Sequence, residues 1–350
     1  MYRLILLTAL NCMVINAISQ VTLSADGTTD TYQLINSVLA PNYNVIEVPD
    51  CGHIAFGPHI DQVYDDDLKK YVFRFHIHTA YDSDRCINYD RQRCEIKTYD
   101  QSPDHLKGTL GETVTYKWLF KLEDAFAASS SFTHLHQLKA VGGSEESMPL
   151  ITLTARKGTP DQLELRYAEA LSQTSIYKTS LEPFKGAWVE ATEVITYDED
   201  GAYSIIIKTL NNEEILFEYS SKAIRTWKTD ASFIRPKWGI YRSLNDSDNL
   251  RDEIIHFADF RIIESGGTPV TNLYNHEEII IYPNPCKGHF TLSNTLGKDI
   301  LISSSNGEII YTKNKLTQNT LELNKLPPGV YIIKLSTHKD IYSRKIIVNP

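Results

Sequence analysis

Residues 132–143, FTHLHQLKAVGG, have the composition of one β-strand that carries several polar side chains between apolar ones. Successive side chains of an extended chain point to opposite faces, so Gln137 and Lys139 share one face. His134 and His136 fall on the other face, where we expect buried or hydrogen-bonded structural roles for them. Taken alone, the segment is typical of a half-exposed strand with a solvated polar face.

Two further segments have a matching polar face. They are RQRCEIK at 91–97, with Arg91, Arg93, Glu95 and Lys97 on one side, and RPKWGIYRS at 235–243, with Lys237, Gly239, Tyr241 and Ser243 on one side. The run YVFRFHIH at 71–78 similarly places His76 and His78 on its polar side. The matching polar faces of the three strands at 91–97, 132–143 and 235–243 indicate one groove.

The region 20–265 predicts an all-β domain. From residue 45 onward, runs of β-branched and aromatic residues alternate with links rich in Gly, Pro, Asn and Asp, a pattern typical of an antiparallel β sandwich. The number of runs favours a jelly roll, whose curved sheet leaves a concave face for an extended ligand. TYQLINSVLA at 31–40 is the one segment that we interpret as a helix.

Composition limits the classes of partner. A chain of 350 residues that is 42% hydrophobic can form one large core and a small appended module. Its 35 basic and 44 acidic residues give a net charge of −9, which argues against a nucleic-acid-binding surface. An anionic ligand would therefore need a local basic strip, and we expect a monomer.

Residues 1–19 have the features of a secretory signal peptide, with an early Arg, a short apolar run and small residues before Gln20. No other run is long and apolar enough to cross a bilayer, so we expect an exported chain without a membrane span.

After cleavage four cysteines remain, and Cys86 and Cys94 could close a short disulfide loop, although other pairings stay open. A zinc site is disfavoured, because no paired C-x-x-C or H-x-x-x-H spacing accompanies these cysteines.

The C-terminal region forms a separate set of short strands. Residues 266–278 have the composition of a linker, and 279–350 contain YPNP followed by G-x-F-x-L, then NGEIIY, LPPGVY and a final KIIVNP. This pattern resembles the type A C-terminal sorting domain of proteins exported by the type IX secretion system of Bacteroidetes. The resemblance implies a removable address with no catalytic role; the alternative is a small carbohydrate-binding β module.

The main domain resembles the jelly-roll polysaccharide lyases, which act on alginate, glucuronan, heparin or ulvan. Their three signature strands, of R-x-E-x-R, Q-x-H and K-x-G-x-Y type, are similar to segments 93–97, 137–139 and 237–241, in the family's order. Lys139 stands where the family usually has His. This departure is similar to the short ulvan lyases, which use a Lys and Tyr pair, so the resemblance implies an ulvan-like, sulfated substrate.

The chemistry of elimination assigns roles to these residues. Removal of the C5 proton of a uronate requires that the neighbouring carboxylate be neutralised or hydrogen-bonded, and Gln137 and Arg93 suit that role. Lys139 could act as the base if burial and nearby cations lower its pKa, and Tyr241 could protonate the leaving oxygen. Further candidates for substrate binding are His76, His78, Arg91, Lys237 and Arg242.

Several alternatives remain open. Within the same class, the enzyme could be a glucuronan, alginate or heparin-type lyase; from other classes, it could be a non-catalytic carbohydrate-binding sandwich or a glycoside hydrolase. A hydrolase would need two facing carboxylates, whereas the three strands offer only Glu95.

Elimination requires no cofactor, but Asp252, Glu253 and Asp259 could hold a structural Ca²⁺. We expect His256 and most tryptophans to be structural.

Overall fold

The computed structural model describes residues 19–265, 281–282, 284, 286–292, 295–304, 308–322, 326–336 and 341–349. The predicted signal peptide, apart from residue 19, and the predicted linker lie outside these residues. The chain divides into two compact units, Met1–Pro269 and Val270–Pro350. No helix in the described part of the chain is long and apolar enough to span a membrane.

In its described residues, 19–265, the first unit consists of strands, one α-helix and three short 3₁₀-helices at Asp104–Leu106, Glu182–Phe184 and Ser247–Asn249. The α-helix, α1, is Thr31–Leu39. The described strands are β1 (Ser19–Leu23), β2 (Ile46–Glu47), β3 (Ile60–Asp65), β4 (Lys70–Ile77), β5 (Arg91–Lys97), β6 (Thr113–Leu122), β7 (Thr133–Val141), β8 (Ile151–Arg156), β9 (Gln162–Tyr167), β10 (Thr174–Ser180), β11 (Val189–Thr196), β12 (Gly201–Thr209), β13 (Ile215–Ile224), β14 (Phe233–Ser243) and β15 (Glu253–Ser265).

These strands form two antiparallel sheets, which confirms the predicted jelly-roll sandwich. The first sheet has the order β13-β12-β11-β6-β15-β4-β3, with β1 also paired to β15, and the second has the order β10-β9-β8-β7-β14-β5-β2. The three strands with matching polar faces are therefore direct neighbours, with β14 between β5 and β7. The predicted helix is also confirmed: Asp30 caps its N-terminus by accepting a hydrogen bond from the Gln33 amide.

The core lies between the two sheets. Trp118 of the first sheet and Trp238 of the second are fully buried, with ring centroids 6.2 Å apart. His136 is buried beside them, and its Nε2 lies 2.9 Å from Oε2 of Glu193. The structural role predicted for His136 is thus confirmed.

A β-bulge changes the alternation of β7. The pairing of β7 with β8 shifts between His134 and His136, and its pairing with β14 shifts between Trp238 and Tyr241. An extra residue on one strand reverses which face the following side chains occupy. His134 therefore lies on the same face as Gln137, and the prediction that it lies on the opposite face is wrong.

The disulfide joins Cys51 to Cys86. The predicted partner, Cys94, is a free, buried cysteine on β5, and its side chain points to the core face, opposite to Arg93 and Glu95. Cys86 lies instead in the loop that follows β4, within reach of the loop that carries Cys51. The predicted Cys86–Cys94 pairing is therefore wrong.

The second unit is a small β sandwich. Its described strands are β16 (Ile281–Tyr282), β17 (His289–Leu292), β18 (Asp299–Ser304), β19 (Ile309–Lys313), β20 (Thr320–Glu322), β21 (Gly329–Ser336) and β22 (Ile341–Val348). They form a three-stranded sheet, β16-β17-β20, and a four-stranded sheet, β19-β18-β21-β22. Its own core contains Phe290, Leu292, Ile302 and Ile333, all nearly inaccessible to solvent.

Candidate active-site groove

An open groove of about 690 Å³ lies on the face of the second sheet that points away from the core. Strands β5, β7, β8, β9 and β14 contribute its floor, and the segments 147–149 and 171–173 contribute one wall. Its basic lining residues are Arg85, Arg91, Arg93, Lys97, Lys139, Arg156, Arg166, Arg235 and Lys237. Among the described lining residues Glu47 is the single carboxylate, so the groove is strongly cationic on a chain of net negative charge.

Strand register arranges the polar residues of the groove in rows across β5, β14 and β7. Tyr241 lies opposite Arg93 on one side and opposite His134 on the other. Two residues nearer the start of β14, Gly239 lies opposite Glu95 on β5. The sequence predicted that β5 and β14 share a polar face, but not which residues pair across them, and the place of His134 depends on the bulge.

A further row lies towards the start of β14. Lys237 is opposite Lys97 on β5 and Gln137 on β7, and Arg235 is opposite Lys139. Lys139 and Tyr241 are thus on adjacent strands, as expected, but at different positions along the groove.

A network of ion pairs lies within the groove. Arg93 donates to Asp84 (Nε to Oδ1, 2.9 Å) and to Glu95 (Nη1 to Oε2, 2.6 Å). Lys237 Nζ lies 2.5 Å from Glu47 Oε2 and 2.7 Å from Glu95 Oε2. Burial raises the pKa of the Glu95 carboxyl, but the adjacent Lys237 and Arg93 outweigh this effect and lower it overall. Both glutamates are therefore ionised and paired.

Tyr241 is held between two arginines. Arg91 Nη1 donates a hydrogen bond to the Tyr241 hydroxyl at 3.0 Å, and the Arg93 guanidinium carbon lies 3.6 Å from the centre of the tyrosine ring. Positive charge on both sides stabilises any negative charge that develops on the phenol oxygen. Carboxylates already accept hydrogen bonds from Nε and Nη1 of Arg93. We therefore expect Arg93 to hold the Tyr241 ring in place and not to bind the substrate carboxylate.

Two cations of the groove have no carboxylate partner among the described residues. Lys139 Nζ donates to the Ser147 carbonyl at 2.9 Å. Burial, together with Lys237 and Arg235, lowers the pKa of Lys139 to about 8. Arg235 is 8% exposed, and its guanidinium lies 4.4 Å above the Tyr99 ring. Its Nε and Nη1 have no hydrogen-bond partner within the described part of the chain. Because an unpaired buried cation is costly, this pair is suited to an anion supplied from outside.

His134 is a groove residue that sequence reasoning missed. Its Nδ1 lies 2.8 Å from Thr154 Oγ1, and its ring centroid is 5.8 Å from that of Tyr241. Burial lowers the pKa of His134 to about 3, an effect to which Arg93 adds, so the imidazole is neutral at ordinary pH. No alternation rule could have found it, because the bulge is a feature of the strand pairing.

Three predicted substrate-binding residues do not line the groove. Arg242 alternates to the face opposite Tyr241, is fully buried, and donates to Gln92 Oε1 at 2.8 Å. His76 is on β4 of the other sheet, where its Nε2 lies 3.2 Å from Asp61 Oδ1. His78 follows β4 and contacts Asp82. For these three residues the predicted place in the groove is wrong, because strand alternation and sheet order direct them elsewhere.

The carboxylates considered for calcium contact different partners. Asp252 accepts from the Thr79 amide at 2.8 Å, Glu253 accepts from the Ala127 amide at 3.0 Å, and Asp259 is paired with Lys70. A structural Ca²⁺ at these residues stays a prediction.

Fold and groove together define an all-β protein with a cationic groove and an appended β module, and the module has a clear family match. Residues 280–349 match the family model described as a secretion system C-terminal sorting domain. This match indicates export through the type IX secretion system to the cell surface or the extracellular space. A comparison with curated proteins found no significant match.

The similar solved structures include several lyases. An endo-beta-1,4-glucuronan lyase from the fungus Trichoderma reesei is 16% identical, with 58% of this chain and 85% of that chain covered and a TM-score of 0.42. A marine PL-14 alginate lyase from Aplysia kurodai is 12% identical, with 69% and 97% covered and a TM-score of 0.47. An alginate lyase from Pseudomonas aeruginosa is 12% identical, with 62% and 96% covered and a TM-score of 0.40. Identities this low give no information on activity.

Proposed function

We propose that the first unit is a secreted polysaccharide lyase that cleaves a uronate-containing polymer by β-elimination, with sulfated ulvan first among its substrates. The observation that carries this proposal is the groove itself. It combines nine basic side chains, two of which lack a carboxylate partner among the described residues, with a phenol held by arginines. A polyanion with a carboxylate on each uronate is the ligand that such a groove suits.

The unpaired cations are suited to the first requirement of elimination. The C5 proton of a uronate becomes acidic only when the adjacent carboxylate is neutralised, since negative charge spreads onto it as the proton leaves. Lys139 and Arg235 lie opposite each other on β7 and β14, and Gln137 is two residues from Lys139 on the same face. We assign carboxylate binding to Arg235 with Lys139 beside it, and to the second amide N–H of Gln137, whose Nε2 already donates one hydrogen bond to Glu95 Oε1. Sulfate groups of the polymer would meet Arg156 and Arg166 on β8 and β9.

The proton transfers are assigned to Tyr241 and a neutral base. The base removes the C5 proton, the C–H electron pair forms the C4–C5 double bond, the C4–O bond breaks, and Tyr241 protonates the departing oxygen. Two groups are candidates for the base, and each meets one requirement. Lys139 has a pKa lowered to about 8, which suits a base near neutral pH, but it pairs with Arg235, six residues from Tyr241 on β14. His134 is neutral and lies beside Tyr241, but a pKa lowered to about 3 makes it a weak base.

The state of the carboxylates argues against hydrolysis. A glycoside hydrolase uses one carboxyl as an acid and a second as a base or nucleophile. Glu47 and Glu95 are instead bound to Lys237 and Arg93, and these cations lower the pKa of both carboxyls despite burial. Neither glutamate is therefore suited to donate a proton at neutral pH.

The test is an ultraviolet absorbance assay with the purified protein on ulvan, desulfated ulvan, glucuronan, alginate and heparin. We expect absorbance from the unsaturated uronate to grow fastest on ulvan and more slowly after desulfation. Products with saturated non-reducing ends would favour a hydrolase. Binding of the polymers without any product would favour the carbohydrate-binding sandwich, and faster turnover of glucuronan or alginate would reassign the substrate.

A further inference from the structure

We propose that His53, His59, His78 and Asp82 form a structural zinc site beside the groove. Each side chain offers one possible ligand atom, and these four atoms all lie within 4.8 Å of one another. It is the one such group of three or more His, Cys, Asp or Glu side chains found in the described part of the chain. None of the four residues lines the groove, so the site is separate from the proposed catalytic residues.

The four ligand atoms are close enough together to surround one ion. His53 Nδ1 and His59 Nε2 each lie 3.1 Å from Asp82 Oδ1, and His78 Nδ1 lies 3.1 Å from Asp82 Oδ2. Zinc bonds to imidazole nitrogen and carboxylate oxygen are about 2.0–2.1 Å long, which places neighbouring ligand atoms of a tetrahedron about 3.4 Å apart. A small outward movement of the side chains would admit the ion.

The donor set selects the metal. Three imidazoles and one carboxylate suit zinc, whereas calcium and magnesium prefer ligand sets made of oxygen atoms. Four protein ligands also leave no open position for water or substrate, so the site is structural and not catalytic. This assignment departs from the expectation that a zinc site is disfavoured, because its ligands come from separate segments and include no cysteine.

A second carboxylate orients the buried histidine. Asp50 Oδ1 lies 2.7 Å from His59 Nδ1, on the opposite side of the ring from Asp82. With the proton of His59 on Nδ1, the lone pair of Nε2 points to the centre of the cluster. A carboxylate behind a histidine ligand is a common arrangement at zinc sites, because it fixes the tautomer and the ring orientation.

Apolar groups and the disulfide enclose the cluster. The Phe56 ring packs against His59 and His78, with centroid distances of 4.8 and 4.3 Å. The disulfide ties Cys51, two residues before His53, to Cys86, four residues after Asp82. The cluster therefore lies between segments that are already linked, which reduces the entropy lost when a metal orders them.

The site also connects to the groove. Asp84, two residues after Asp82, accepts from Arg93 Nε, and Arg93 lies over the Tyr241 ring. An ion bound to Asp82 would hold the loop that carries Asp84. We infer that zinc stabilises the position of Arg93 against the Tyr241 ring without touching the substrate.

The experiment measures metal content in the tag-free protein. After incubation with Zn²⁺ and dialysis, we expect one zinc per chain by mass spectrometry of the metal. Substitution with Co²⁺ should give the intense visible absorbance of a tetrahedral site. His53→Gln removes a partly exposed ligand and should weaken zinc affinity by more than about 100-fold, because even outer-shell changes cost about 10–100-fold. Asp50→Asn should weaken it by about 10–100-fold.

The matched control is His105→Gln, which removes a histidine remote from the cluster in sequence and absent from it. It should bind zinc as the unchanged protein does, and circular dichroism should show both variants to be folded. A protein that retains no stoichiometric zinc, or a folded His53→Gln that binds it with unchanged affinity, would overturn the proposal. Stoichiometric Ca²⁺ with no Zn²⁺ would do the same.

Discussion

Tyr241 is the residue whose replacement tests the proposed chemistry most directly. Tyr241→Phe keeps the ring beneath Arg93 but removes the hydroxyl that accepts from Arg91. Loss of a general acid typically costs on the order of 10²–10⁴ in rate, so kcat should fall by that factor while polymer binding changes little. The measurement is the absorbance assay together with binding to the uncleaved polymer. Near-normal turnover would refute this assignment of Tyr241.

The identity of the base is a second question at the scale of single residues. If Lys139 is the base, kcat/KM should rise with pH and level off above about 8, because only the neutral amine accepts a proton. If His134 is the base, this group should cause no inflection near pH 8, since the pKa of His134 is lowered to about 3 and it is neutral throughout. The measurement is the pH profile of kcat/KM.

Two substitutions give the matching control. Lys139→Arg keeps the positive charge but cannot act as a base near neutral pH, whereas His134→Gln keeps a polar group without a basic nitrogen. One of the two should lose about 10²–10⁴ in rate and the other should lose much less. Equal, small losses in both variants would leave Tyr241 as both base and acid.

At the scale of elements, the close approach of β14 to β5 depends on one glycine. Gly239 has φ +143°, and a Cβ at this position would lie 2.1 Å from the Cys94 carbonyl oxygen. Gly239→Ala should therefore lower the free energy of unfolding by more than the roughly 1–3 kcal/mol of backbone strain alone. Urea denaturation measures the loss. Gly57→Ala is the control, because Gly57 has φ +92° but no atom within 4 Å of the added Cβ.

The elements also show how far the sequence can predict such a site. Alternating polarity identified β5, β7 and β14 and their common face, because each pattern is local to one strand. The bulge that brings His134 to Tyr241 is a property of the pairing between strands, so a single strand cannot indicate it. Arg235 has no carboxylate partner among the residues that the structure describes, and this too depends on its neighbours from other strands. For the same reason the spacing of residues 53, 59, 78 and 82 did not indicate a cluster.

At the scale of the whole molecule, the sorting domain at 280–349 predicts processing during export. We expect a mature species in the culture medium that begins near Gln20 and ends within or near the predicted linker at 266–278. Mass spectrometry of the secreted protein tests this expectation. Recovery of the intact chain from inside the cell alone would contradict it.

The contrast between the basic groove and the net charge of −9 governs how a polyanion approaches the protein. Away from the groove the surface repels the polymer, so attraction acts only over the short range at which the groove dominates. The Debye length falls from about 8 Å at physiological ionic strength to about 3 Å at 1 M. Added salt should therefore slow capture and raise KM, while kcat, set by groups already in contact with the sugar, stays nearly constant. If the proposed function holds, the protein would bind its polymer most readily in dilute media and depend on close fit in concentrated brine.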